Sequence, residues 1–183
     1  MSDLFTLKVD NEIDLQLLQA HHANDFFHLI DSNRKHLREW LPWIDQTQSH
    51  AQCRYLIDMW QKMYTNHIGL NTAILFNGQL VGSISLHQID WMNRQTNIGY
   101  FLGEQFQGNG IVIKSVKALM QYVLLELHLN RIEIKCGLNN NKSRSIPERL
   151  GFTKEGLMRD GELLNNRYHD LVVYSFLLSD LNK

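Results

Sequence analysis

Apolar residues along the chain recur at two spacings, and the switches between them outline the elements. Ile13, Leu15 and Leu17 fall on every second residue, which predicts a first strand over 13–18. Residues 25–40 and 51–64 carry helical spacing, broken by Trp40-Leu41-Pro42-Trp43, and Pro42 is expected to stop the first helix. Alternation returns at 72–76 and 80–86 around Asn77-Gly78-Gln79, a turn suited to a hairpin. A further strand over 96–102 leads into Gln107-Gly108-Asn109-Gly110, after which Val112, Val116, Leu119, Met120, Val123 and Leu127 recur at three and four as one buried helix face. Residues 131–135 alternate as a half-buried strand, and 140–150 form a short helix with Gly151 where a left-handed cap belongs. From Thr153 onward two strands flank Asn165-Asn166, residues that tolerate positive φ. The predicted fold class is α/β with a mixed sheet.

Composition narrows the possibilities. The chain has 183 residues, 44% of them hydrophobic, and no long polar or Pro/Ser-rich run, so one compact domain over 1–183 is expected. A formal net charge of −1 without a block of like charges disfavours a nucleic-acid partner. Met1-Ser2-Asp3-Leu4 lacks a basic stretch followed by an apolar run, and no segment has the ~20 apolar residues of a membrane span, so a soluble cytoplasmic protein is expected. Cys53 and Cys136 lack ligand spacing and read as buried thiols. Nine histidines are scattered with no His-Glu-x-x-His cluster, so no metal is assigned, and His169 beside Asp170 reads as a strand-face residue.

The glycine-rich junction is where chemistry first enters. A strand-to-helix turn with bare backbone N–H groups binds phosphate, and Lys114 and Lys117 lie near the positive end of the following helix, although such turns also serve as plain connections. Ile113 occupies the third glycine position of a dinucleotide fingerprint and also a required glycine of a P-loop, so both motifs fail.

The segment resembles the pyrophosphate loop of the GNAT superfamily of acyl-CoA-dependent N-acetyltransferases, Arg/Gln-x-x-Gly-x-Gly/Ala, here Gln107-x-x-Gly110-x-Val112 with valine in the last place. Asn140-Asn141-Lys142-Ser143 and Glu148-Arg149-Leu150-Gly151-Phe152 are similar to the family's Asn-x-x-Ser…Glu-Lys-Leu-Gly-Phe segment, with Pro147 where an apolar helix former is usual. Asn33-Arg34-x-His36-Leu37-x-x-Trp40-Leu41-Pro42-Trp43, Gly99-Tyr100-Phe101-Leu102 and Gly156-Leu157-x-x-Asp160-Gly161-Glu162 extend the resemblance to the ribosomal-protein N-terminal acetyltransferases of the RimL/RimJ type. It implies a GNAT fold, a mixed, largely antiparallel sheet flanked by helices, with acetyl-CoA as co-substrate. The implied acceptor is the N-terminal α-amino group of a ribosomal protein, and the implied assembly is a homodimer.

The resemblance also suggests roles. Backbone donors from Gly108, Asn109, Gly110 and Ile111, with Gln107, are expected at the pyrophosphate, Asn140 and Ser143 beside the pantetheine and thioester, and a backbone N–H near Phe101 or Leu102 at the thioester oxygen. Glu162 is the candidate base, with Asp160 in reserve, and Ser143 the candidate donor to the departing thiolate. A solvated hairpin glutamate and a helix-start serine are the plain structural readings. Cys136 as an acyl carrier is the rival to direct attack, and it lacks an identifiable base. Trp40, Trp43 and Trp60 read as packing or as an acceptor groove, with Glu39 and Asp45 able to attract a cationic N-terminus. A small amine, such as a polyamine or an amine-bearing antibiotic, is the alternative acceptor. A CoA-binding sensor without turnover is the alternative outside the enzymes.

Overall fold

A computed structural model describes residues 5–182. Met1 to Leu4, read above for a targeting segment, lie outside the described residues. Eight strands form one sheet in the order β1-β2-β3-β4-β5-β6-β8-β7: β1 (Thr6–Lys8), β2 (Ile13–Leu17), β3 (Leu70–Phe76), β4 (Gln79–Asp90), β5 (Gln95–Leu102), β6 (Arg131–Gly137), β7 (Thr153–Leu164) and β8 (Arg167–Leu177). Every neighbouring pair is antiparallel except β5 and β6. The turns follow from residue type. Asn77 and Gly78, and Asn165 and Asn166, all have positive φ, as two-residue hairpin loops that match strand twist require.

The two faces of the sheet carry separate cores. Ile84, Leu86, Ile98 and Leu102 pack with Val116, Leu119, Met120 and Val123 of α4 (Ile111–Gln121) and the π-helical turn after it, and with Ile146 and Leu150 from α5 (Asn141–Arg149) and its C-cap. On the opposite face Ala73, Leu80 and Phe101 meet Phe26 and Ile30 of α1 (Ala23–Ser32) and Cys53 and Ile57 of α3 (His50–Thr65). Phe26, Trp43, Trp60 and Phe101 form one aromatic cluster with ring centroids 5.7 to 6.5 Å apart, so Trp43 and Trp60 pack the core.

The helix expected over 25–40 is two helices, α1 and α2 (Arg34–Leu37), and it ends before Pro42. Asn33 makes the break. Its buried amide donates to the Leu29 carbonyl (2.9 Å) and its oxygen accepts from the Glu104 N–H (2.8 Å), a tie to the far side of the sequence that pulls its φ to −115°. Arg34 then donates to the carbonyls of Ile44 (2.7 Å) and Thr47 (2.9 Å), which fixes the segment carrying Pro42. Short, half-polar β1 goes beyond the elements expected from the pattern. It pairs with β2 across a turn in which Asp10 Oδ1 accepts from the N–H groups of Glu12 and Ile13, both at 2.9 Å.

At the other end of the sheet Arg131 on β6 reaches over β8 to hold Glu155 on β7 through two contacts of 2.6 and 2.7 Å, and Ser175 adds a third bond at 2.7 Å. The Arg131 hydrogen bonds hold the Glu155 carboxyl at about 2, below its ordinary 4.5. A depressed carboxyl stabilises the fold above its unfolded value, and that contribution is lost as pH falls from about 4.5 to about 2. Glu155→Gln is therefore expected to lose less stability than wild type across this acid window in urea titrations. Because the pair is partly exposed, its melting temperature at pH 7 should drop by only about 2–4 °C.

Candidate active site

Parallel pairing between β5 and β6 covers only Gln95 to Asn97 against Arg131 to Glu133, although β5 runs to Leu102 and β6 to Gly137. Beyond these pairs the strands separate, and the gap is the floor of a cleft of about 580 Å³ lined by Tyr100, Phe101, Leu102, Gln107, Ser143 and the start of α4, among others. The alternation of N–H direction along β5 assigns its backbone donors. Gly103 N–H donates to Val81 on the β4 side (2.8 Å), so Phe101 N–H faces β4 as well, whereas those of Tyr100 and Leu102 face the gap. Of the two expected thioester donors, Leu102 has the N–H directed into the cleft.

Gly108 (φ 84°) and Gly110 (φ 71°) hold the loop in left-handed conformations that favour glycine, and a Cβ on Gly108 would meet nothing within 4 Å, so the surface there is bare backbone. The first intrahelical bond of α4 runs from Lys114 N–H to Gly110 O, which leaves the N–H groups of Ile111, Val112 and Ile113 without helical acceptors at the cleft wall. A helix start of this kind is suited to an anion. Lys114 does not serve it: its ammonium pairs with Asp10 at 2.8 Å, and neither it nor Lys117 lines the cleft. Lys142 and Arg149 of α5 are the cations that do. Gln107 accepts from Lys142 (2.9 Å) and touches His36 of α2 at 2.7 Å, so one amide spans the cleft from α5 to α2. Asn109 turns its amide back to the Phe106 carbonyl (3.1 Å), which shapes the loop.

Asn140 caps α5, its Oδ1 accepting from Ser143 N–H at 3.1 Å, and so sets Ser143 over the gap. The Ser143 hydroxyl lies 3.3 Å from both Cys136 Sγ on β6 and Tyr100 Oη on β5. Pro147 determines the rest of this arrangement. It has no N–H for the Ser143 carbonyl four residues earlier, and Tyr100 Oη–H donates to that carbonyl instead, at 2.9 Å. Burial keeps the Tyr100 phenol neutral and raises the Cys136 thiol, which carries no paired base. The helix closes with bonds from Gly151 N–H to Glu148 O and from Phe152 N–H to Pro147 O around Gly151 at φ 80°.

Glu162 lies on β7, half-buried, cross-strand from His169. Desolvation raises its carboxyl above the ordinary 4.5, and the nearby His169 opposes part of that rise. Neither Glu162 nor Asp160 lines the cleft; their hairpin meets the segment after α2, where Asn165 Nδ2 donates to Arg38 O and Leu164 is buried, while Trp40 packs against Gly137 and lines the cleft. Asp160 is exposed and left-handed, with φ 51°. Asp45 is paired with Arg38 at 2.8 Å, and Glu39 faces a second hollow of about 430 Å³ beside the cleft, shared with Glu104 and Lys35. Among the described residues no group of three or more His, Cys, Asp or Glu side chains has metal-holding geometry, and no helix is long and apolar enough to cross a membrane.

Residues 13–153, which carry the parted strand pair and the glycine-built helix start, match the family model of the acetyltransferase (GNAT) domain. The chain belongs to the GNAT acetyltransferase family. It is 39% identical over 175 residues to Bacillus subtilis (strain 168) YdaF, provisionally named a ribosomal N-acetyltransferase, covering 95% of this chain and 96% of that one. It is 29% identical to the ribosomal-protein-serine acetyltransferase of Escherichia coli (strain K12), over 94% and 97% of the two chains. Among solved structures, RimL, the ribosomal L7/L12 alpha-N-protein acetyltransferase in complex with coenzyme A, superposes with a TM-score of 0.92 at 28% identity, over 94% of this chain and 98% of that one. This GNAT chain is an acyl-CoA-dependent acetyltransferase with acetyl-CoA as its co-substrate.

The motifs quoted above contain His36, Tyr100, Lys142 and Arg149 without a role assigned to them, and all four line the GNAT cleft. Tyr100 was the most accessible of them, since alternation puts it with Ile98 and Leu102, and Pro147 announces a carbonyl in need of another donor. Tyr100→Phe should destabilise the enzyme by about 1 kcal/mol by orphaning the Ser143 carbonyl. In a Pro147→Ala background, where a backbone N–H returns, the same substitution should cost markedly less. Chemical denaturation of the four proteins checks this, and an equal cost in both backgrounds would remove Pro147 from the explanation.

Proposed function

We propose that the protein transfers the acetyl group of acetyl-CoA directly to the α-amino group of a protein N-terminus, a ribosomal protein foremost. The observation that carries this reading is Glu162: a half-buried carboxylate made more basic by burial, on a hairpin that meets the Arg38 carbonyl between cleft residues Leu37 and Trp40. Its relatives named for ribosomal-protein acetylation support the choice of acceptor.

In this reading bound acetyl-CoA supplies an acetyl group activated as a thioester. The N–H groups from Gly108 to Ile111, with Gln107 and Lys142, hold the pyrophosphate, and Asn140 and Ser143 flank the pantetheine. Leu102 N–H donates to the thioester oxygen, where negative charge grows during attack, and a fixed backbone donor needs no reorganisation to meet it. An α-amino group has an ordinary pKa of about 7.7–8.0, so Glu162 removes its proton directly or through one water. A carboxyl raised by burial lies closer to that value and is the better base. Ser143 Oγ–H donates to the departing sulfur. Cys136 stays out of the reaction because burial keeps its thiol protonated. The whole chain acts as one catalytic unit, in the cytoplasm and as a homodimer. It makes no contact with membrane or nucleic acid, in keeping with its net charge of −1.

A small amine is the second reading of the same site. It is supported by a relative named for a polyamine acceptor, the spermidine N(1)-acetyltransferase of Escherichia coli (strain K12), 21% identical over 147 residues. Incubation with acetyl-CoA and ribosomes, followed by mass spectrometry of protein N-termini, separates the two. An acetylated ribosomal-protein N-terminus is expected, with the rate reduced about 10²–10⁴-fold in Glu162→Gln. Wild-type activity confined to polyamines or amine-bearing antibiotics would move the acceptor to the second reading. Full activity in folded Glu162→Gln would remove the base. Acetyl-CoA binding without turnover on any amine would make the chain a sensor.

A further inference from the structure

Strand β7 does not run evenly beside β8. Between Met158, paired with Leu171, and Glu162, paired with His169, four steps along β7 span two steps along β8, so residues 159–161 bulge out of the ladder immediately before Glu162. A bulge leaves backbone donors without a cross-strand acceptor. Here a side chain supplies one: Asp170 Oδ1, on the strand opposite, accepts from Asp160 N–H at 2.9 Å, and Asp160 stands at φ 51°. Left-handed backbone is unfavourable for a residue other than glycine, though least so for Asn and Asp, so the conformation needs a compensating contact. Gly161 tightens the same turn, since a Cβ there would lie 3.0 Å from Met158 and 3.1 Å from Leu171 Cδ1.

Asp170 is also tied to the chain just past β6. Its carbonyl accepts from Leu138 N–H at 2.9 Å, just past the end of β6 and two residues before the Asn140 cap of the Ser143 helix. One residue thus fixes the β7 bulge through its side chain and the segment entering the Ser143 helix through its backbone.

We infer that Asp170 is a positioning residue: by pinning the β7 bulge through Asp160 N–H, it sets the place of Glu162 relative to the acceptor amine. The inference rests on Glu162 being the base. Asp170 touches neither substrate nor the reacting atoms, and it acts through geometry, where a displacement of about 1 Å is worth about 10²-fold in rate.

The test uses the intact enzyme with acetyl-CoA and whichever amine acceptor wild type acetylates. Asp170→Ala should lower kcat about 10- to 100-fold while the KM for acetyl-CoA stays within about twofold of wild type. Asp170→Asn, which keeps the oxygen acceptor, should restore kcat to within about fivefold. In a Glu162→Gln background, Asp170→Ala should cost little more, because the group it positions is already gone. Asp170→Ala at wild-type kcat, Asp170→Asn as slow as Asp170→Ala, or an undiminished loss in the Glu162→Gln background would each overturn the positioning role. A slow Glu162→Gln enzyme in any of these cases leaves the base reading standing, whereas a fully active one overturns both.

Discussion

The separation of β5 from β6 after Asn97 and Glu133 is the constraint on which the rest of the site depends. Two parallel strands that part within a sheet leave backbone donors and acceptors without ladder partners, a state that is costly unless something else meets them. Here the gap is held at a fixed width by short ties. Tyr100 on β5 and Cys136 on β6 both reach Ser143 on α5, and Tyr100 meets the carbonyl that Pro147 cannot serve. The fold thus keeps an opening in its own sheet, and backbone freed from strand pairing becomes available to a ligand.

The two sides of that opening are specialised by different physics. On the donor side, left-handed glycines and the first turn of α4 present a bare surface of N–H groups, and the cations are those of α5, since Lys114 is committed to Asp10. On the other side, the β7–β8 hairpin meets the Arg38 carbonyl after α2, and desolvation makes the Glu162 carboxylate more basic. Gln107 bridges the two sides, bonded to Lys142 on one and touching His36 on the other, so the loop before α4 and the position of α2 share a contact.

Much of this was legible in the sequence, and what was not has a common cause. Alternation located β2, β5 and β6, the Asn-Gly and Asn-Asn pairs located two hairpin turns, and the loop ahead of α4 and the start of α5 were readable because local backbone geometry sets them. The break at Asn33 was not, because it depends on Glu104, distant in sequence. Nor was the fate of Lys114, or the division of Trp43 and Trp60 in the core from Trp40 at the cleft, since each depends on a partner brought in by the fold. Strand periodicity also gives no sign of where pairing stops: β5 alternates just as regularly past Asn97 as before it. The bulge ahead of Glu162 stayed hidden for the same reason, because Asp170 and Asp160 meet only across the sheet.

The central claim, that backbone released at the β5–β6 parting receives the thioester, is tested most directly by amide hydrogen exchange at single residues with and without acetyl-CoA. Phe101 N–H should be protected in both states because β4 holds it. Leu102 N–H should gain about tenfold or more in protection on binding, as expected for a hydrogen bond of about 1.4 kcal/mol or better. Unchanged exchange at Leu102 under saturating acetyl-CoA would contradict the account.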